Sequence, residues 1–187
     1  PDAVKMMRAF MKKRRVPDCS SCVEVAYLDI DQTKPTFTEL ATLLLGDAKQ
    51  AKSFMSKAKL HSMEELEDSW WNLYEKLLST GRAVELSLKI ELEDFLYNVQ
   101  KLIHNKNLST DENLTGDVSI DTDAFDDSQC IGDWCAHFNS TWKNHKLVGM
   151  DIGTDSLVLM VLSNEEFKRA QELAKELLHR IDVAERL

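Results

Sequence analysis

An α+β fold is expected from three features of the sequence: helices packed on a small, mainly antiparallel sheet, with a late β-hairpin followed by a C-terminal helix. Amphipathic helical stretches with marked ends occupy most of residues 36 to 103. Two apolar, β-prone runs, "KLVGMDI" and "LVLMVL", flank the turn-forming "GTDS". Strands and helices mix without the strict βαβ alternation of a doubly wound sheet. At 187 residues the chain fits a single domain, 1–187, able to bury a core without disulfide or metal staples.

Residues 2 to 15 place Val4, Met7, Phe10 and Met11 at helical spacing and end in the basic run Lys12 to Arg15 before Pro17. Segment 1–17 is therefore an N-terminal helix with a basic end, where cations favour the helix dipole. "VEVAYLDI", residues 23 to 30, alternates like a strand.

Thr36 and Glu39 make a capping box ahead of "LATLLL", Gly46 ends that helix, and Asp47 caps the next, which carries Ala51, Phe54, Met55 and Ala58. Ser62 and Glu65 repeat the box. The third helix buries Met63, Leu66, Trp70, Leu73 and Leu77, and Gly81 closes it. With no basic groove beside them, Trp70 and Trp71 read as packing residues, not as a base-stacking platform.

"RAVEL", residues 82 to 86, is a short strand, followed by a helix defined by Leu92, Phe95, Leu96, Val99 and Ile103. Residues 104–128 form a solvated acidic loop, with a short strand at "DVSI". Ile131, Trp134, Cys135 and Phe138 mark a further helix. After the hairpin, strands about 146 to 152 and 157 to 162 around Gly153, Ser163 and Glu166 box the final helix. That helix packs inward through Phe167, Ala170, Ala174, Leu177 and Ile181.

A formal net charge of −9 argues against nucleic acid as a partner, because phosphate binding needs a surplus of Lys and Arg. Between 61 and 127, acidic residues outnumber basic ones 16 to 5. No apolar run approaches the roughly 18 residues of a membrane span, and the N-terminus lacks a secretory signal pattern. A cytoplasmic protein is expected, so the sequons at Asn107, Asn113 and Asn139 carry no meaning.

"YLDIDQT" reproduces the D-x-D-x-T nucleophile motif of haloacid-dehalogenase-like phosphatases. In that chemistry Asp29 would attack phosphorus and Asp31 would act as general acid and base beside magnesium. Asp126 and Asp127 could serve as the second acidic pair. Gln32 departs from the usual glycine, and the following helices leave no parallel strands to deliver the remaining residues. "MDIGTDS" likewise resembles the phosphate hairpin of actin-like sugar kinases at Asp151, Gly153 and Thr154. Without a second phosphate loop or an adenosine site it reads as a turn whose Asp and Ser side chains hold backbone N–H groups.

Cys19 and Cys22 have zinc or redox spacing, and Cys130, Cys135 and His137 are their conceivable partners. The first pair precedes a strand instead of opening a helix, and the second has an atypical gap. All four are expected to be incidental thiols. No cofactor is implied, the histidines at 61, 104, 137, 145 and 179 form no ligand ladder, and "DVSIDTDAFDDS" lacks the glycine of a calcium loop.

"FTELATLLLGD", "STGRAVELSLKIELEDFL" and "GTDSLVLMVL" together resemble a bacterial family of uncharacterised cytoplasmic proteins, a domain of unknown function, over roughly residues 36–180. The resemblance implies the α+β fold and brings no activity. The leading expectation is a non-enzymatic acidic interaction protein, an immunity or regulatory factor. It would meet a basic protein partner through Asp121, Asp123, Asp126 and Asp127. The rival expectation is a small metal-dependent hydrolase using Asp29 and Asp31.

Overall fold

A computed structural model describes residues 30–106, 108, 118 and 120–187. Among them six helices and four strands follow one another. They are α1 (Ile30–Leu45), α2 (Ala48–Met55), α3 (Met63–Ser79), β1 (Val84–Ser87), α4 (Leu92–Asn105), α5 (Ile131–Thr141), β2 (His145–Met150), β3 (Ser156–Ser163), α6 (Asn164–Glu176) and β4 (Ile181–Val183). Single 3-10 turns lie at Thr122–Ala124 and Ala184–Arg186. The sheet order is β1-β3-β2-β4, and every pairing is antiparallel.

Strand β3 explains the layering. Successive side chains of a strand point to opposite faces, and here both faces are covered. Val158, Met160 and Leu162 enter one core with α1, α2, α3 and α6, while Leu157, Leu159 and Val161 enter a second with α4 and α5. A strand buried on both sides needs apolar residues at every position, hence the unbroken run from Leu157 to Leu162. The result is three layers, helices on each side of the sheet.

The hairpin forms with strands His145–Met150 and Ser156–Ser163, paired from His145↔Ser163 to Gly149↔Leu159. In the turn, Asp151 Oδ1 accepts the Gly153 N–H at 2.8 Å, and Gly153 takes a left-handed φ of 68°. The second side-chain acceptor is Thr154, whose Oγ1 takes the Ser156 N–H at 3.3 Å. The cap signals are mostly realised. Asp47 accepts from Lys49 and Gln50, and Ser163 and Glu166 cap α6 reciprocally. Ser62 accepts from the Glu65 N–H, but Glu65 reaches past it to the His61 N–H at 2.9 Å.

Several boundaries differ from expectation. Helix α1 does not start at Thr36 but runs from Ile30, with Pro35 inside it. Thr33, Thr36, Phe37, Leu40, Ala41 and Leu44 form one buried stripe, and that continuous apolar contact outweighs the single backbone bond forfeited at proline. Thr36 instead donates to Glu176 at 3.3 Å, and Glu39 pairs with Arg169 at 2.6 Å. Ile30 therefore stands in a helix and does not end a strand. The rest of the expected strand, the N-terminal helix with its basic end, Cys19, Cys22 and Asp29 lie outside the described residues.

Ala58 falls beyond the end of α2, and Met63, in the first turn of α3, is exposed. Ile181 belongs to β4, not to the final helix, because Leu178 turns left-handed at φ 59° and stops α6. Within the expected acidic loop, His104 and Asn105 complete α4 and residues 122–124 form a 3-10 turn. Of the "DVSI" strand, Val118 and Ile120 are described and neither is in a strand. No described helix is long and apolar enough to cross a membrane.

Candidate functional site

The four carboxylates expected to meet a partner sit together on the approach to α5, and Asp121, Asp123, Asp126 and Asp127 are all exposed. Two of them also shape their own backbone. Asp121 Oδ1 accepts the Asp123 N–H at 3.2 Å, and Asp126 Oδ1 accepts the Ser128 N–H at 2.8 Å. That backbone bond holds the Asp126 carboxyl below its usual range. The segment is pinned from beneath: Phe125 packs its ring 5.0 Å from that of Phe138 and 4.7 Å from that of His137, and Trp134 Nε1 donates to the Asp126 carbonyl at 3.0 Å. The carboxylates are thus presented on a braced loop.

The other sequence candidates are not gathered with them. Cys130 is exposed at the start of α5, where its N–H and Sγ both lie 3.2 Å from Asp133 Oδ2. Cys135 is fully buried one turn later in the second core, and burial pushes its thiol up to about 12. Among the described residues no three His, Cys, Asp or Glu side chains are grouped to hold a metal ion. Asp31 stands in helical backbone, and Asp29, its partner in the phosphatase motif, lies outside the described residues.

Two polar constellations were invisible in the sequence. The first lies in an open cleft of about 310 Å³ lined by α5, α6, β4 and the last 3-10 turn. At its floor the buried Asn139 carboxamide bonds both backbone groups of Leu147 and donates to Glu185 Oε2 at 2.6 Å, while Lys146 Nζ caps the Asn139 carbonyl at 2.5 Å. Those polar atoms are occupied by one another, which makes the cleft floor structural.

The second bridges the two helical layers past the end of β3. Lys106, the C-cap of α4, donates to Glu166 at 2.5 Å, and Glu166 also takes the Ser163 N–H at 2.7 Å. Desolvation works against the Glu166 anion, but the Lys106 and Ser163 bonds outweigh it and hold its carboxyl below the usual range. A lysine ending one helix and a glutamate opening another, 60 positions apart, leave no local signal.

Fold and site together define a three-layer α+β domain with an antiparallel sheet and an exposed, braced acidic loop. The chain matches the family described as Domain of unknown function (DUF6630) over residues 28–184, and it belongs to that family. No curated protein and no solved structure matches it.

Proposed function

We propose that this domain is a non-enzymatic interaction protein that receives a basic protein partner on the acidic loop around Asp121, Asp123, Asp126 and Asp127, acting in the bacterial cytoplasm as an immunity or regulatory factor. One observation carries the reading. Four carboxylates are held out on a loop braced by Phe125 and Trp134, so little ordering entropy is lost when a partner docks.

The charge distribution narrows the surface further. The chain's excess of acid lies between 61 and 127, but the sheet divides it. The carboxylates of α3 belong to the layer of the first core, whereas those of α4 and of the loop belong to the second. A partner attracted electrostatically meets the α4 and loop side, where Glu91, Glu93 and Asp94 are exposed as well.

The test is a parallel capture from the native host by the wild type and by a variant with all four aspartates changed to Asn. Asparagine keeps the acceptor oxygens that Asp121 and Asp126 use. The reading expects a basic protein retained by the wild type at low salt and lost by the variant. Identical capture by both would refute it.

A further inference from the structure

The ends of α1 and α4 meet at the head of β1 and bring two cations together. Arg82 lays its guanidinium across Gly46, the left-handed residue that ends α1. A Cβ on that glycine would stand 2.0 Å from Arg82 Nη2, so Gly46 both makes the turn and clears space for the arginine. Lys106 lines the same small cavity as Arg82 and Gly81, above Leu102 and Met160. Burial, and to a lesser degree the Arg82 charge, disfavours the Lys106 ammonium, while Glu166 supports it.

Among the described residues the local count is two cations against one carboxylate. Glu166 bonds Lys106, and among the described residues no carboxylate or carbonyl accepts a hydrogen bond from the Arg82 guanidinium, although the Arg82 backbone N–H bonds the Leu77 carbonyl at 2.9 Å. Two other arginines differ: Arg169, in α6, forks onto Glu39, and Arg180, just before β4, holds Asp182. A half-buried guanidinium with five donors and no partner among the described residues is open to acceptors from solvent or a ligand. Drawing a second cation toward it costs stability, a cost that a bound anion removes. The cavity, about 10 Å³, holds no more than one water, so a ligand would reach the cations at its mouth by a single charged group.

We propose that Arg82 and Lys106 form a seat for an oxyanion, the phosphate or carboxylate group of a small ligand. The planar guanidinium fork matches the paired oxygens of either group, and Lys106 adds a point charge beside it. The site shares no residue with the acidic loop and does not depend on the partner reading.

The experiment is an amide-shift titration of the 15N-labelled chain with sodium phosphate and, separately, sodium acetate, with sodium chloride balancing ionic strength. The proposal expects saturable shifts at Gly46, Gly81, Arg82 and Lys106 with at least one oxyanion, and the tighter of the two identifies the group. Arg82→Gln should weaken binding by more than about ten-fold, since a hydrogen bond to a charged group contributes about 1.5–3 kcal/mol. If that variant does not fold, Arg82→Lys, which keeps the charge and loses the fork, should still weaken it. Absence of saturable shifts at these amides with either anion, or unchanged affinity in the folded arginine variant, would overturn the proposal.

Discussion

Asn139 pairs with Leu147 as a neighbouring strand would: its Nδ2 donates to the Leu147 carbonyl and its Oδ1 accepts the Leu147 N–H, each at 2.8 Å. β4 pairs with β2 only over Val148–Met150. Just past it, the side chain of a helix completes the ladder. Asn139→Ala leaves both Leu147 groups buried without partners and should destabilise the domain by more than about 2 kcal/mol. Denaturant midpoints at unchanged slope would measure it, and a loss below about 0.5 kcal/mol would show that water replaces the carboxamide.

The Lys106–Glu166 pair predicts a pH dependence. The Glu166 carboxyl is lower in the folded protein than its ordinary 4.5, so the unfolded chain binds the proton more readily. Its contribution is fully present above that unfolded value and is lost as pH falls through the folded one. Glu166→Gln keeps an acceptor for the Ser163 N–H but removes the charge. Urea denaturation between about pH 6 and pH 3 should therefore show a shallower acid loss of stability in the variant than in the wild type; parallel curves would contradict the assignment.

Leu178 ends α6 in the conformation usually reserved for glycine. The Leu178 and His179 N–H groups close onto the Lys175 and Ala174 carbonyls at 3.0 and 2.8 Å, the double closure of a left-handed helix cap. An exposed leucine at φ 59° carries a steric cost of about 1–2 kcal/mol. Leu178→Gly should raise stability by about 0.5–1 kcal/mol after the entropy of the unfolded glycine is counted. A lowered melting temperature would mean that the leucine side chain makes a contribution larger than its strain.

The two described cysteines should respond differently to alkylation. Cys130 is exposed, whereas Cys135 has no exposed surface and a thiol pushed up to about 12. Iodoacetamide at pH 8 should modify Cys130 in the native protein and spare Cys135 until denaturant is added. Site-resolved mass spectrometry reads both, and early modification of Cys135 would place it outside the core.

Features that announce themselves within a few residues were legible before folding. Gly46, Gly81 and Gly153 take positive φ, and Asp47 and Ser163 cap their helices, because such signals are local. The hairpin was legible because β3 must be apolar on both faces. What escaped depends on long-range contact. Thr36 and Glu39 read as a capping box until a buried stripe carried α1 back past them to Ile30, and Ile181 kept helical spacing although Leu178 had already broken the helix. Asn139, Lys106 and Glu166 are ordinary polar residues on helices whose partners lie 8, 60 and 60 positions away. Of the candidate site, the acidic loop was legible as charge, but the aromatic brace beneath it was not.

Association kinetics test the central claim most directly, the capture of a basic partner by the braced acidic loop. With the captured partner in a stopped-flow or surface-binding measurement, the association rate should fall steeply between about 50 and 500 mM salt, as the Debye length shrinks from roughly 14 Å toward 4 Å. Changing Asp121, Asp123, Asp126 and Asp127 to Asn should slow association more than it speeds dissociation, with little change in melting temperature because these exposed carboxylates contribute little to stability. An association rate indifferent to both salt and the four substitutions would contradict the account and leave the acidic loop a feature of solubility alone.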